Sequence, residues 1–480
     1  MFDTRKLDEI DAVCYINRGP FLTDLDPKTV FTDTNKLGSP VEMEIHSSIN
    51  SFYRYGSIIF YDETGIRESL PITCNEILSV LYKNTFREIT ESLPMVIHFN
   101  ILDIEEVIAD PDQYNSRRFT GKFLKFHLVE APFFLKYNEK SWKLAFGKSE
   151  IYEIPSAPEP IATQRGMLLD EIFYTHFKDH LNLISDTPKN DTIEVQFSKM
   201  KTKVHFVVPS WKSQKLFSYL LEFAKDASDY GNVKFFVTTN TQSSRPIVHL
   251  KSLNYIIKDN SKTPTEFTLV DPAKIEGTAS SLGAGSLNII LKHKFLFYDL
   301  LSLPSGFAGA SLLNYDYATG KYFTQCDNYV ESNKKAGNSY TSNFALWNEK
   351  ISSENTKQFY IGSTSVAEGM EYLNNKIIKN RHQLRCEFVT YIDEFIQPGD
   401  KIIVLFPSGM AELSKEEQKH LFDEHMSDEW IVEDVMDTVS NGKGMRKMIC
   451  IKDAFFNLYG KTEGMDITKY LPQVKYVKSK

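Results

Sequence analysis

Apolar and polar residues alternate in short runs along much of the chain, the period expected of half-buried β-strands. In residues 122–128, Leu124, Phe126 and Leu128 share one face and Lys125 and His127 the other. Trp142, Leu144 and Phe146 repeat the pattern. Ser57-Ile58-Ile59-Phe60-Tyr61 is an apolar run that ends at the turn signal Asp62-Glu63-Thr64-Gly65. Several such strands between turn signals predict an antiparallel barrel or sandwich over 41–155. Residues 1–40 are polar and carry Gly19-Pro20, Asp26-Pro27 and Gly38-Ser39-Pro40, which reads as an extended arm or a disordered terminus.

Three prolines between Pro155 and Pro160 mark a boundary. Beyond it the period changes. Met167, Leu168, Ile172, Phe173, Phe177 and Leu181 fall at helical spacing, as do Leu216, Phe217, Leu220, Leu221 and Ala224. Val204, Phe206 and Val208 alternate as a strand, and two more strands are expected near 234–238 and 247–250. Residues 156–270 therefore predict a mixed α/β domain. Residues 271–364 hold the Gly/Ser/Ala-rich run Gly277 to Gly285 and apolar clusters such as Phe295-Leu296-Phe297-Tyr298, and read as an insertion or docking region. Val366, Met370, Leu373 and Ile377 mark a helix. A strand at 384–392, the turn Gln397-Pro398-Gly399-Asp400, an apolar strand at 401–406 and a hairpin around Asn441-Gly442-Lys443-Gly444 follow. They predict a second β-barrel over 365–460, with a tail at 461–480. The fold class is thus multidomain, β-rich α+β: two antiparallel barrels flanking a mixed α/β domain.

Net charge is −8 with Lys+Arg 55 against Asp+Glu 63, which disfavours tight nucleic-acid binding. The 5 cysteines include no CxxC pair, so zinc ribbons and dithiol redox motifs are absent. The N-terminus lacks the apolar segment of a secretory signal, and no run of about 18 apolar residues occurs, so no stable membrane association is expected.

Candidate chemistry is sparse. Phosphate-loop and GxSxG motifs are missing, and Gly283-Ala284-Gly285 lacks the third glycine of a dinucleotide fingerprint. His176 and His180 have ligand spacing on a helix but no HExxH between them, and Asp179 is the neighbouring donor. Cys386 and Cys450 sit in apolar strands, where thiols are inert. Glu105-Glu106, or Asp434 with Asp437, could serve glycoside hydrolysis if they faced one cleft. Lys321-Tyr322-Phe323 is a lone basic-aromatic cluster. These residues give no catalytic, metal or cofactor assignment.

Four stretches carry a family resemblance. The first is Gly56 to Glu63 with Leu70-Pro71-Ile72 and, later, Trp142 to Glu150. The second is Phe206-Val207-Val208-Pro209-Ser210-Trp211, its helix, and the strands at 234–237 and 249–253. The third is Gln383 to Phe388 with Ile396 to Val404. The fourth is Trp430 to Val435 with Arg446 to Asp453. In order and spacing they resemble the baseplate hub (tail hub) proteins of bacteriophages, which share a fold with the base of type VI secretion spike proteins. Asp434 and Met436 stand where the family often has a histidine.

The resemblance implies a non-enzymatic virion protein of the tail tip or baseplate, made in the host cytoplasm. It implies a homotrimer whose tandem barrels form a pseudo-sixfold ring. That ring would join the sixfold tail tube to the threefold spike and pass DNA transiently. Tube and spike proteins are the expected partners, with tape measure and baseplate wedge proteins as further candidates. Ile58, Ile59 and Phe60, and Ile402, Ile403, Val404 and Leu405, are candidate interface strands. The rivals are a carbohydrate-active or peptidoglycan-degrading enzyme subunit and a host-surface carbohydrate-binding module.

Overall fold

The computed structural model describes residues 7–18, 31, 36–62, 72–85, 94–107, 122–140, 145–146, 148–152, 161–165, 167–184, 193–204, 206–208, 210–227, 233–241, 245–258, 264–269, 288–297, 309–316, 321–328, 357–361, 384–406 and 428–452. The alternating N-terminal segments become strands β1 (Ile10–Asn17), β2 (Lys36–Gly38), β3 (Glu42–Ser48), β4 (Tyr55–Asp62), β5 (Ile77–Asn84), β6 (Met95–Val107) and β7 (Lys122–Glu130). They pair antiparallel in the order β2-β1-β5-β6-β7-β4-β3. Because the side-chain period is 2, one face of each strand feeds one core: Cys14, Ile45, Ile58, Phe60, Val80, Phe99, Leu124 and Phe126 are all buried there. Each large side chain so buried contributes about 1.5–3 kcal/mol. Part of the expected N-terminal arm is thus a full strand: β1 pairs with β5 along its whole length. Gly56 has a reason to be glycine, since a Cβ there would lie 2.1 Å from the Glu44 carbonyl oxygen on β3.

Helix α1 (Phe133–Asn138) follows β7, and then come the short strands β8 (Ala145–Phe146), β9 (Lys148–Tyr152), β10 (Ile161–Arg165) and β11 (Met167–Leu168). Helix α2 (Leu169–Thr175) runs on into a π-helical turn, His176–His180. Asp170 and Glu171 sit in its first turn, where acids complement the helix dipole. Strands β12 (Glu194–Phe197), β13 (Lys203–Val204) and β14 (Phe206–Val207) lead to α3 (Ser213–Phe223), β15 (Val233–Thr239), β16 (Pro246–Ser252) and α4 (Leu253–Lys258). The sheet β12-β16-β15 is mixed, with β12 parallel and β15 antiparallel to β16. Its aromatic core stacks Phe173 and Phe177 on Phe217, at centroid distances of 4.8 and 5.7 Å. Of the apolar positions read as helical in 167–181, Ile172, Phe173, Phe177 and Leu181 are buried in this core, whereas Met167 and Leu168 form the short strand β11 and are partly exposed.

The C-terminal half contributes β17 (Thr265–Leu269), β18 (Ile289–Phe297), β19 (Gly309–Asp316), β20 (Lys321–Asn328), β21 (Lys357–Ile361), β22 (Leu384–Thr390), β23 (Lys401–Leu405), β24 (Asp428–Ser440) and β25 (Lys443–Lys452). Strands β20-β19-β21 form a separate sheet. The pairings β24-β23-β17-β18-β22-β25, with β25 back on β24, make a closed ring of six strands. Inside it lie Phe267, Ile290, Cys386, Phe388, Ile402, Val404, Trp430, Val432, Met448 and Cys450. Two of its strands, β17 and β18, come from outside the 365–460 segment expected to build this unit. Their long-range pairing leaves no local pattern. The helix expected at 366–377 and the Gly277 to Gly285 run lie outside the described residues.

Strand β24 belongs to both strand-built units. Its first half pairs with β23, its second half with β3, and β25 lies along its other edge. A bulge between Val432 and Asp434 lets it turn from one to the other. At the Asn441-Gly442 turn, φ is 50° and 76°, the left-handed pair of a tight two-residue hairpin. The hairpin tip then meets the edge of β1: Ile10 N donates to Gly442 O at 2.8 Å and Gly444 N to Asp8 O at 2.7 Å. One continuous sheet of 13 strands results.

Candidate functional site

Buried charge is costly unless paired, so buried ion pairs show where the chain commits its geometry. Arg54, just before β4, donates from Nε to Glu130 Oε2 at 2.9 Å, and its Nη2 also bonds Glu130 Oε1. Its Nη1 reaches Thr239 Oγ1 at the end of β15. This links the first strand unit to the α/β sheet. At the same point Thr239 N donates to Gln397 Oε1 at 2.6 Å, and Gln397 Nε2 donates to Thr239 O at 2.7 Å. The amide side chain thus completes the end of the β15 edge and ties it to the turn before β23. Gly399 in that turn has φ 89° and lies against Phe236, which a Cβ would meet at 2.9 Å. A cleft of about 690 Å³ opens here, lined by Thr238, His249, Gln397, Asp400 and Lys401 among others.

A second lock joins the two strand units. Arg446 on β25 meets Asp437 on β24 in a bidentate pair, 2.6 and 2.7 Å, with both side chains buried. Its Nη1 donates to Ile396 O at 2.7 Å and to Asp393 O. Tyr82 of β5 donates to Asp437 Oδ2 at 3.0 Å. Burial alone would pull the guanidinium down, but the Asp437 charge and hydrogen bonds, with Tyr82 and Asp393, hold it above its ordinary value. Burial, then Asp437, pushes the Tyr82 phenol well up. At the β24 bulge, Arg385 and Asn50 both donate to Glu433 Oε1 at 2.8 Å, and Lys234 of β15 donates to Asn50 at 2.6 Å. All three units therefore meet through polar side chains of defined geometry.

The acid pairs do not converge. Asp437 is taken by Arg446, while Asp434 accepts from Ser48. Glu105 faces His127 at 3.2 Å and Glu106 faces Lys122 at 3.7 Å on the outer surface. Burial, offset by the Ser48 hydrogen bond, raises the Asp434 carboxyl. His176 and His180 are ring neighbours at 4.7 Å, but His176 Nε2 is engaged with Ser213 Oγ at 2.9 Å. Among the described residues, no three His, Cys, Asp or Glu side chains converge where a metal ion could sit. No helix among them is long and apolar enough to cross a membrane. Tyr322 and Phe323 belong to β20. Of the seven candidate interface residues, Ile58 and Phe60 point into the first core, and Ile402, Ile403, Val404 and Leu405 are buried in or around the second; Ile59 is partly exposed. Strands β4 and β23 each lie between two others, β3 and β7 for one and β17 and β24 for the other.

Two histidines set an acid limit, the buried His176 and the half-buried His98. Burial and the nearby Arg54 charge lower His98 to about 4, and burial with the neighbouring His180 lowers His176 to about 3, from 6.5. Both stay neutral in the fold while the unfolded chain takes up protons below 6.5. Stability is therefore intact above pH 6.5 and falls as pH drops towards 4 and then 3, by up to about 1.4 kcal/mol per pH unit for each histidine. Urea titrations from pH 7 to pH 4 check this. His98→Gln, which retains a polar partner for Ser79, should flatten the slope over pH 4 to 6.5; an unchanged slope contradicts the assignment.

No family model matches the sequence, and no curated protein matches it. Solved structures do. A tail protein from Neisseria meningitidis MC58 superposes with a TM-score of 0.50 at 7% identity, over 92% of this chain and 97% of that one. The 43 kDa tail protein of prophage MuSo2 from Shewanella oneidensis gives 0.47 at 8% identity, over 93% and 100%. A chain of the Francisella PdpA-VgrG complex gives 0.47 at 10% identity, over 92% of this chain and 53% of that one. At these identities the likeness concerns fold, and over nearly its whole length this chain has the fold of the meningococcal tail protein.

Proposed function

We propose that the chain is a structural, non-catalytic hub of a phage-type tail, placed at the tail tip or baseplate. The observation that carries this reading is the near full-length fold match to a tail protein, 92% of one chain on 97% of the other. The sequence motifs lead to the same family independently of that match. In this reading the two strand-built units are tandem barrels. Three chains then set six barrels in a ring that joins a sixfold tube to a threefold spike. The polar locks supply what such an adaptor needs, because each chain must hold its two barrels at a fixed angle for six to close a circle. With net charge −8, the ring would let DNA pass without holding it.

Light scattering of the purified chain over a range of concentrations tests the assembly. The expected mass is three times 55.2 kDa, about 166 kDa. A dimer, or a species that stays monomeric with tube and spike proteins added, contradicts it.

A further inference from the structure

Two of the chain's thiols are direct cross-strand partners. Cys386 on β22 and Cys450 on β25 are opposite one another in the antiparallel register. Both are fully buried, and both belong to the core of the six-strand ring, so they project from the same side of the sheet. Opposite residues of an antiparallel pair have Cα atoms about 4.5–5.5 Å apart, within the roughly 4.4–6.8 Å that a disulfide spans. Both are thiols in the folded chain.

We propose that Cys386 and Cys450 are a latent disulfide site of the ring: two thiols while the ring stays shut, joined by a disulfide-class oxidant such as oxidised glutathione when β22 and β25 part. Each thiol loses its hydrogen as the S–S bond forms. The pair gives up two electrons and two protons, and these reduce oxidised glutathione to two molecules of its thiol. Two features keep the closed ring reduced. Full burial denies the oxidant access. Burial also raises Cys386 to about 12 and Cys450 well above the usual thiol range, which leaves almost no thiolate to attack. Once formed, the bond would staple the two strands together and close a covalent loop around β23 and β24.

The test uses the full chain. One sample stays folded in a buffer of oxidised and reduced glutathione, and another is diluted into it from urea. Both are alkylated, digested and mapped by mass spectrometry. The refolded sample should yield a linked Cys386–Cys450 peptide, about 2 Da lighter than the two thiol peptides together. The folded sample should form it at least about tenfold more slowly. The oxidised chain should unfold at a higher urea concentration than the reduced one, and reduction should reverse the shift. The proposal is overturned if both thiols stay free in refolded chain, if the links scatter among Cys14, Cys74 and Cys326, if folded chain oxidises as fast as refolding chain, or if the linked chain is the less stable one.

Discussion

Replacing Arg446 by Met is expected to destabilise the chain by about 3–5 kcal/mol. The change leaves the Asp437 carboxylate buried without its counter-charge. It also removes the donor that the Ile396 and Asp393 carbonyls share. The damage falls on the segment between β22 and β23 and on the contact of β5 with β24 through Tyr82, where the two strand units join. Removing both charges, in Arg446→Met with Asp437→Leu, should recover part of the loss, since a well-packed apolar pair can replace a buried ion pair. Denaturant unfolding of the single and double variants forms the cycle. A single variant within about 1 kcal/mol of wild type would show that the pair does not fix the junction.

Trp430→Ala should cost a similar amount, about 3–5 kcal/mol, by emptying the centre of the six-strand ring. Trp430 is fully buried opposite Ile402, edge-on to Phe388 at 5.7 Å, with the Lys452 ammonium 5.3 Å from its ring centre. Trp430→Phe keeps most of the apolar volume and should cost less than half as much. Hydrogen exchange separates this effect from global loosening. Protection should fall first in β22 to β25, while β5 to β7 retain theirs. Equal losses in both regions would mean that the ring is not a separate packing unit.

The strands that lie on single faces were legible. Leu124, Phe126 and Leu128 of β7 are buried as their alternation requires, and the Gln397 to Asp400 turn falls between β22 and β23. The Phe295 cluster was not placeable, because β18 is held by β17 and β22, partners whose choice depends on closing a ring and not on local sequence. β1 does carry a local pattern, with Ile10, Ala12, Cys14 and Ile16 on its buried face, but the turn-rich composition of the rest of 1–40 outweighs it. The locks were missed for two different reasons. Arg54 and Glu130 lie 76 positions apart, and nothing local joins them. The other lock could have been found: counting four residues outward on each side of the Asn441-Gly442 turn puts Asp437 opposite Arg446. That register makes Asp437 the ion-pair partner of Arg446 and not a companion of Asp434 in one cleft.

In the proposed hub, one chain supplies two strand units at a fixed angle to a threefold ring. Class averages of the particles seen down their axis test this geometry. Rings of three chains with six similar lobes around an open centre are expected. Rings with three well-separated lobes, or particles without an axial opening, would contradict it.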